Sequence, residues 1–148
     1  LIVATAARYA CQIALPDLGE AGQQRVAAAS ACVAIGARTD AAAWALTYLA
    51  AGGLGRIELV AASGEPLDQL VDATEAIGHV LLRAADVGAP RGEACARRLR
   101  DLNPDIVVAL VTTPTLPPLP LPPLPPGALA TGAAAAARAL LAAAREAS

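Results

Sequence analysis

The chain has 148 residues, 11 basic against 13 acidic, a net charge of -2 and 56% hydrophobic side chains, which suits one domain with a core of its own. No basic stripe runs through it, so nucleic acid finds no support as a partner. Three widely spaced cysteines and a single histidine give neither a disulfide framework nor a metal site, and Cys11, Cys32 and Cys95 read as buried thiols.

Leu1 to Ala7 is too short for a secretory signal, and the expected compartment is the cytoplasm. Residues 1–30 read as an N-terminal arm, Arg8 to Pro16, and a helix over Glu20 to Ala29 with Gln23 and Arg25 turned outward and Ser30 ending it. Residues 31–111 read as a Rossmann-like half domain. Ala31 to Ile35 is a short apolar strand that stops at Gly36, Asp40 caps a helix over Ala41 to Ala51, and Gly52, Gly53 and Gly55 end it before a second strand, Ile57 to Val60. That is a βαβ unit. Its phosphate fingerprint is absent: of the three glycine places only Gly36 is kept, Arg38 and Ala41 stand in the others, and the acidic place at the end of the second strand is Ala61.

Pro66 opens a predicted helix with Leu67, Leu70, Val71 and Ile77 on one face. After Gly88 and Pro90 a helix runs from Arg91 to Leu102, with Ala94, Leu99 and Leu102 inward and Arg97, Arg98 and Arg100 outward. Asn103-Pro104 is a turn, and Ile106 to Val111 has the continuous apolar run of an interior parallel strand. Residues 112–127 form a Pro-rich linker, whose stretch from Pro114 to Pro126 spans about 40 Å at roughly 3.1 Å per residue; a spacer is favoured over a P-x-x-P ligand. Ile106 to Ala137 carries no charge, yet eight prolines between Pro114 and Pro126 forbid a membrane-spanning helix. Residues 128–148 read as an Ala/Leu-rich helix whose narrow leucine stripe needs something to pack on.

Three stretches carry a family resemblance. RYACQIALPDLGEAGQQR, YLAAGGLGRIELV and ADVGAPRGEACARRLRDLNPDI, from Arg8 to about Val111, resemble in order the ThiF/MoeB/HesA family, the adenylyltransferases that activate the C-terminal glycine of ubiquitin-like sulfur carriers. The resemblance implies an α/β, Rossmann-like three-layer domain with a mainly parallel sheet, truncated relative to the family, plus the Pro-rich linker and C-terminal helix. It also implies an arm reaching toward a partner subunit, carried here by Arg8, Tyr9, Cys11 and Gln12, with Cys11 where the family has the arginine that reaches the partner's nucleotide. The family's strand-end aspartate falls on Ala61, its next acidic residue on Ser63, its phosphate-contacting arginine near Asp72, and its lysine on Arg91, which keeps the charge but not the compact ammonium. The family's magnesium-binding Asp, paired C-x-x-C motifs and catalytic Cys have no counterpart.

The remnant nucleotide pocket is therefore Gly36, Arg38, Asp40, Asp72 and Arg91, either paired among themselves so that they fill the site or left as solvated loop charges. No catalytic residue is assigned. His79 reads as a loop residue before a general base, Cys95 as core filling before a nucleophile, and Ser63-Gly64 as a turn. By resemblance the chain is a catalytically degenerate subunit, a structural or regulatory homodimer or a heterodimer with an active ThiF-like partner, reaching a ubiquitin-like carrier through that partner and using no cofactor. The alternative is an enzyme with a remodelled pocket, and only then do ATP and Mg enter; a third reading is an adaptor displaying the Pro-rich tail.

Overall fold

The computed structural model describes residues 7–37, 40–121 and 127–145. In chain order they form α1 (Ala10–Ile13), α2 (Gly19–Ala28), β1 (Ser30–Ile35), α3 (Asp40–Ala51), β2 (Arg56–Ala61), α4 (Ala73–Ala76), a 3-10 turn (Ala84–Asp86), α5 (Arg91–Leu102), β3 (Val107–Leu110) and α6 (Ala128–Arg145). The strands pair in parallel in the order β1-β2-β3, with Cys32 opposite Glu58 and Glu58 opposite Ala109.

Two crossovers in the same direction put α3 and α5 on one face of the sheet, because right-handed connections return on the same side. Side chains alternate along each strand, so Ala31, Val33, Ile35, Ile57, Leu59 and Val108 form the core with α3 and α5, whose Leu46, Leu49 and Leu99 are fully buried. Each of those leucines contributes about 2 kcal/mol. The other face carries Cys32 and Glu58, and the Pro-rich segment crosses it. Thr115 donates its amide and its hydroxyl to the Glu58 carboxylate, both at 2.8 Å, and the Leu119 amide donates to the Cys32 carbonyl at the β1 edge. Up to Leu121 the described part of that segment is a docked strap, and Leu119 and Leu121 pack on the core.

The predicted α6 forms, but the face it buries is small rather than leucine-rich: Thr131, Gly132, Ala135, Ala136 and Ala144. It lies along α3 with its axis running the same way, and a Cβ at Gly132 would run into the Ala41 carbonyl and Trp44. Arg25 closes its C-terminal end by donating to the Ala144 carbonyl at 2.6 Å. The last three residues of the predicted helix, 146–148, lie outside the described residues. Among the described residues no helix is long and apolar enough to cross a membrane.

Several expectations are corrected. Gln23 is buried, not outward, and donates to the Gly52 carbonyl at 3.1 Å. Asp40 is the first residue of α3 rather than its cap. The helix expected from Pro66 does not form, because the backbone of residues 67–71 pairs with residues 88–92: Val71 N to Ala89 O, Gly88 N to Val71 O, Arg91 N to Gln69 O and Gly92 N to Leu67 O. Val71 is buried, but Leu70 is 58% and Ile77 80% exposed. On α5, Leu102 faces solvent and Arg98 does not stand free, since it pairs with Asp86 at 3.0 Å. β3 is an edge of the described sheet, and Arg100 donates to the Val108 carbonyl at 3.1 Å. Cys11 is exposed, because the single turn of α1 buries none of its residues; Cys32 and Cys95 are buried as expected.

Candidate functional site

The pocket at the C-terminal end of the strands is built by the turns that leave β1 and β2. β1 ends at Ile35, before Gly36, and the Ala37 amide points out of the sheet end, where a backbone N–H stabilises an anion. A turn after β2, closed by Glu65 N to Ala62 O, carries Glu65 back over β1. Its Oε2 accepts the Ala37 amide hydrogen at 2.5 Å. Gly36 permits this approach, since a Cβ there would lie only 3.0 Å from Glu65 Oε2.

Arg91 opens α5 and is 2% exposed. Its fork closes on Glu75, with Nε to Oε1 at 2.6 Å and Nη2 to Oε2 at 3.0 Å; Nη1 reaches Gln69 at 3.5 Å and Glu65 at 3.6 Å. The hydrogen bonds that the guanidinium donates to Glu75 raise its pKa against burial. Glu75 is aimed by the cap of α4, where Asp72 accepts the Glu75 amide at 2.8 Å and the Thr74 hydroxyl at 2.6 Å. Those bonds, the Thr74 hydroxyl first, hold the Asp72 carboxyl below its usual pKa. A desolvated guanidinium is tolerated only when paired, and here the pairing comes wholly from within the chain.

Beside this pair lies a cleft of about 460 Å³, lined by Asp40, Trp44, Thr74, Ile77, His79 and Val80. His79 Nδ1 accepts the amides of Leu81 and Leu82 at 3.1 and 3.0 Å. Burial pushes its pKa down, while the charges of Glu75 and Asp40 oppose that shift. Burial pushes the Cys95 thiol up to about 12, which disfavours the thiolate. Among the described residues no group of three or more His, Cys, Asp or Glu is placed to hold a metal.

Of the residues singled out from the sequence, Gly36 and Arg91 lie at the pocket. Asp40 lines the neighbouring cleft and Asp72 caps α4; Arg38, and with it the expected pairing to either aspartate, lies outside the described residues. Glu65 and Glu75 are the groups that sequence reasoning missed. Asp72 followed three residues later by Glu75 is a helix-start signal that would have found the second; nothing local marks the first.

The arm folds on its own chain at the opposite end of α3. Arg8 donates to Asn103 at 2.9 Å and reaches Asp105 at 3.5 Å, while Asn103 donates to the Ala50 carbonyl at 3.1 Å. Tyr9 is buried over Gly53, whose φ of +91° and lack of a Cβ make room for the ring. Gln12 is half-buried and Cys11 exposed. In the A-D-V-G stretch, Asp86 is buried, yet bonds from Arg97, the Arg83 amide and Arg98 outweigh that burial and hold its carboxyl below its usual pKa.

Residues 9–119 match the ThiF family. The chain belongs to that family. Protein HesA (vegetative) of Trichormus variabilis is 36% identical over 106 residues, 70% of this chain and 36% of its own length. The sulfur carrier protein adenylyltransferase of Thermus thermophilus is 36% identical over 66% of this chain and 33% of its own length. The chain thus spans about a third of the length of the curated relatives it matches. The crystal structure of the E. coli tRNA N6-threonylcarbamoyladenosine dehydratase TcdA superposes with a TM-score of 0.60 at 28% identity, over 73% of this chain and 41% of that one. E. coli MccB with ATP matches at a TM-score of 0.51 and 23% identity, over 64% of this chain and 26% of that one, and shows the shared fold. A ThiF-family α/β fold with a parallel sheet, short relative to its relatives, is what the resemblance implied.

Proposed function

We propose that this ThiF-family chain is a catalytically silent structural or regulatory subunit, pairing with itself or with an active ThiF-like adenylyltransferase in the cytoplasm. The observation that carries the reading is the Glu65 carboxylate on the Ala37 amide, a fixed negative charge at the turn where a nucleotide phosphate would sit. Among the described residues, a triphosphate arriving there meets the Glu65 and Glu75 carboxylates beside Arg91. Adenylyl transfer needs a clamp of donors, each worth about 3 kcal/mol at the transition state, and the residues present do not suit Mg-ATP. The named relatives include a sulfur carrier protein adenylyltransferase and a SAMP-activating enzyme E1. An active partner of that kind would bring a ubiquitin-like carrier within reach.

A second reading has its own support. The cleft beside α3 presents Asp40, His79 and Thr74, enough polar groups for an enzyme with a remodelled pocket. Calorimetric and thermal titration with Mg-ATP separates the two. The silent subunit gives no heat and no stabilisation, whereas ligand at 100 times its dissociation constant adds about 2.7 kcal/mol. Saturable Mg-ATP binding would overturn the first reading, as would isolation of the native chain as a lone monomer.

A further inference from the structure

The wall of the cleft facing α3 is the loop from Ile77 to Arg83, and one side chain holds its shape. His79 Nδ1 accepts from both Leu81 and Leu82. Those two leucines are buried in the core, so their amides have no ready substitute in solvent. Accepting at Nδ1 places the neutral ring's proton on Nε2. The imidazole and Glu75 both line the open cleft and a cavity of about 10 Å³ that Arg91 and Cys95 also bound, and so His79 stands between the cleft and Arg91.

We propose that His79 is a proton-operated latch: a proton taken from solvent onto Nδ1 ends both acceptor bonds, releases the Leu81 and Leu82 amides and opens the cleft wall over Arg91. The ring is faced by Asp40 from α3, Glu75 from α4, and Arg91 and Cys95 from α5. Burial is the largest influence and favours the neutral ring; Glu75 and Asp40 favour the imidazolium, and Arg91 opposes it. The folded ring thus binds a proton less readily than the unfolded one. The latch is closed above the ordinary histidine range and opens as the pH falls below it. It works the same way whether or not the chain pairs or binds a nucleotide.

The chain contains one histidine and one tryptophan, Trp44, which lines the same cleft; each signal therefore has one source. Nitrogen-15 NMR of the full chain from pH 8 to 5 should show His79 as the Nε2–H tautomer titrating below 6.5, the reference histidine pKa. Exchange protection of the Leu81 and Leu82 amides, corrected for intrinsic rates, should fall about fivefold or more with the same midpoint, and Trp44 emission should shift with it. In His79→Asn the side-chain oxygen remains an acceptor and does not titrate, so protection there should be flat with pH. Titration at or above the reference value, or wild-type amide protection that ignores the titration, overturns the latch without any variant having to fold. A pH response in His79→Asn equal to the wild type's overturns it as well.

Discussion

Replacing Glu75 by alanine leaves the buried Arg91 guanidinium without its two shortest bonds, Nε to Oε1 at 2.6 Å and Nη2 to Oε2 at 3.0 Å. The two side chains are 2% and 3% exposed, so the pair is desolvated. Breaking a buried pair from one side costs about 3–5 kcal/mol. Gln69 and Glu65 still reach Nη1 at 3.5 and 3.6 Å and keep the charge partly neutralised, which puts the loss at the lower end, about 3 kcal/mol. In urea, with a slope near 2 kcal/mol per molar, the midpoint falls by about 1.5 M. The double variant Glu75→Leu with Arg91→Met removes both charges at similar volume and should recover most of that loss. A Glu75→Ala loss below about 1 kcal/mol, or a double variant no more stable than the single one, would refute the view that Arg91 depends on Glu75.

Gly132→Leu drives a side chain into Ala41 and Trp44; overpacking of this kind costs about 1–3 kcal/mol, and an unchanged Trp44 emission spectrum would count against the packing of α6 on α3. The Glu58 carboxyl is held below its usual pKa, first by the Thr115 amide and then by the Thr115 hydroxyl. Its stabilisation is therefore complete above the ordinary carboxylate range and is lost as the pH falls through the depressed value; Thr115→Val should shrink that acid-dependent part of the urea midpoint. Thiol titration of the native chain should detect Cys11 at once, and Cys32 and Cys95 only on unfolding, since both are buried and burial raises the pKa of each.

How much of the fold could be read from the sequence depended on the range of the interactions. α5 was legible to the residue, because Pro90 and Asn103 bound a segment whose helical period is unbroken, and the strands were legible as short apolar runs, the first two next to glycine and the third after the Asn103-Pro104 turn. The segment after Pro66 was misread because its amides are satisfied by residues 88–92, a pairing that local propensity does not encode. Leu102 looked inward by period, but the helix ends there, past the edge of the core. The candidate site divided in the same way. Gly36 could be found from its place in the βαβ unit and Arg91 from the family resemblance, whereas Glu65 acquires its role only when the turn after β2 brings it over the turn after β1.

The residues that made the family recognisable are bound up in holding the chain together. Arg8 and Asn103 tie the arm to the turn before β3, Tyr9 fills the space over Gly53, Gln23 closes the end of α3, and Asp86 gathers Arg97 and Arg98. Of the places where the resemblance sets a departure from the family pattern, Ala61 ends β2, Ser63 follows it, Ala41 lies in α3 and Asp72 caps α4, while Cys11 lies in the arm. With Glu65 seated on the Ala37 amide and Glu75 on Arg91, the buried charge at this end is paired from within the chain. Without Glu75 the buried Arg91 would lose its nearest counter-charge.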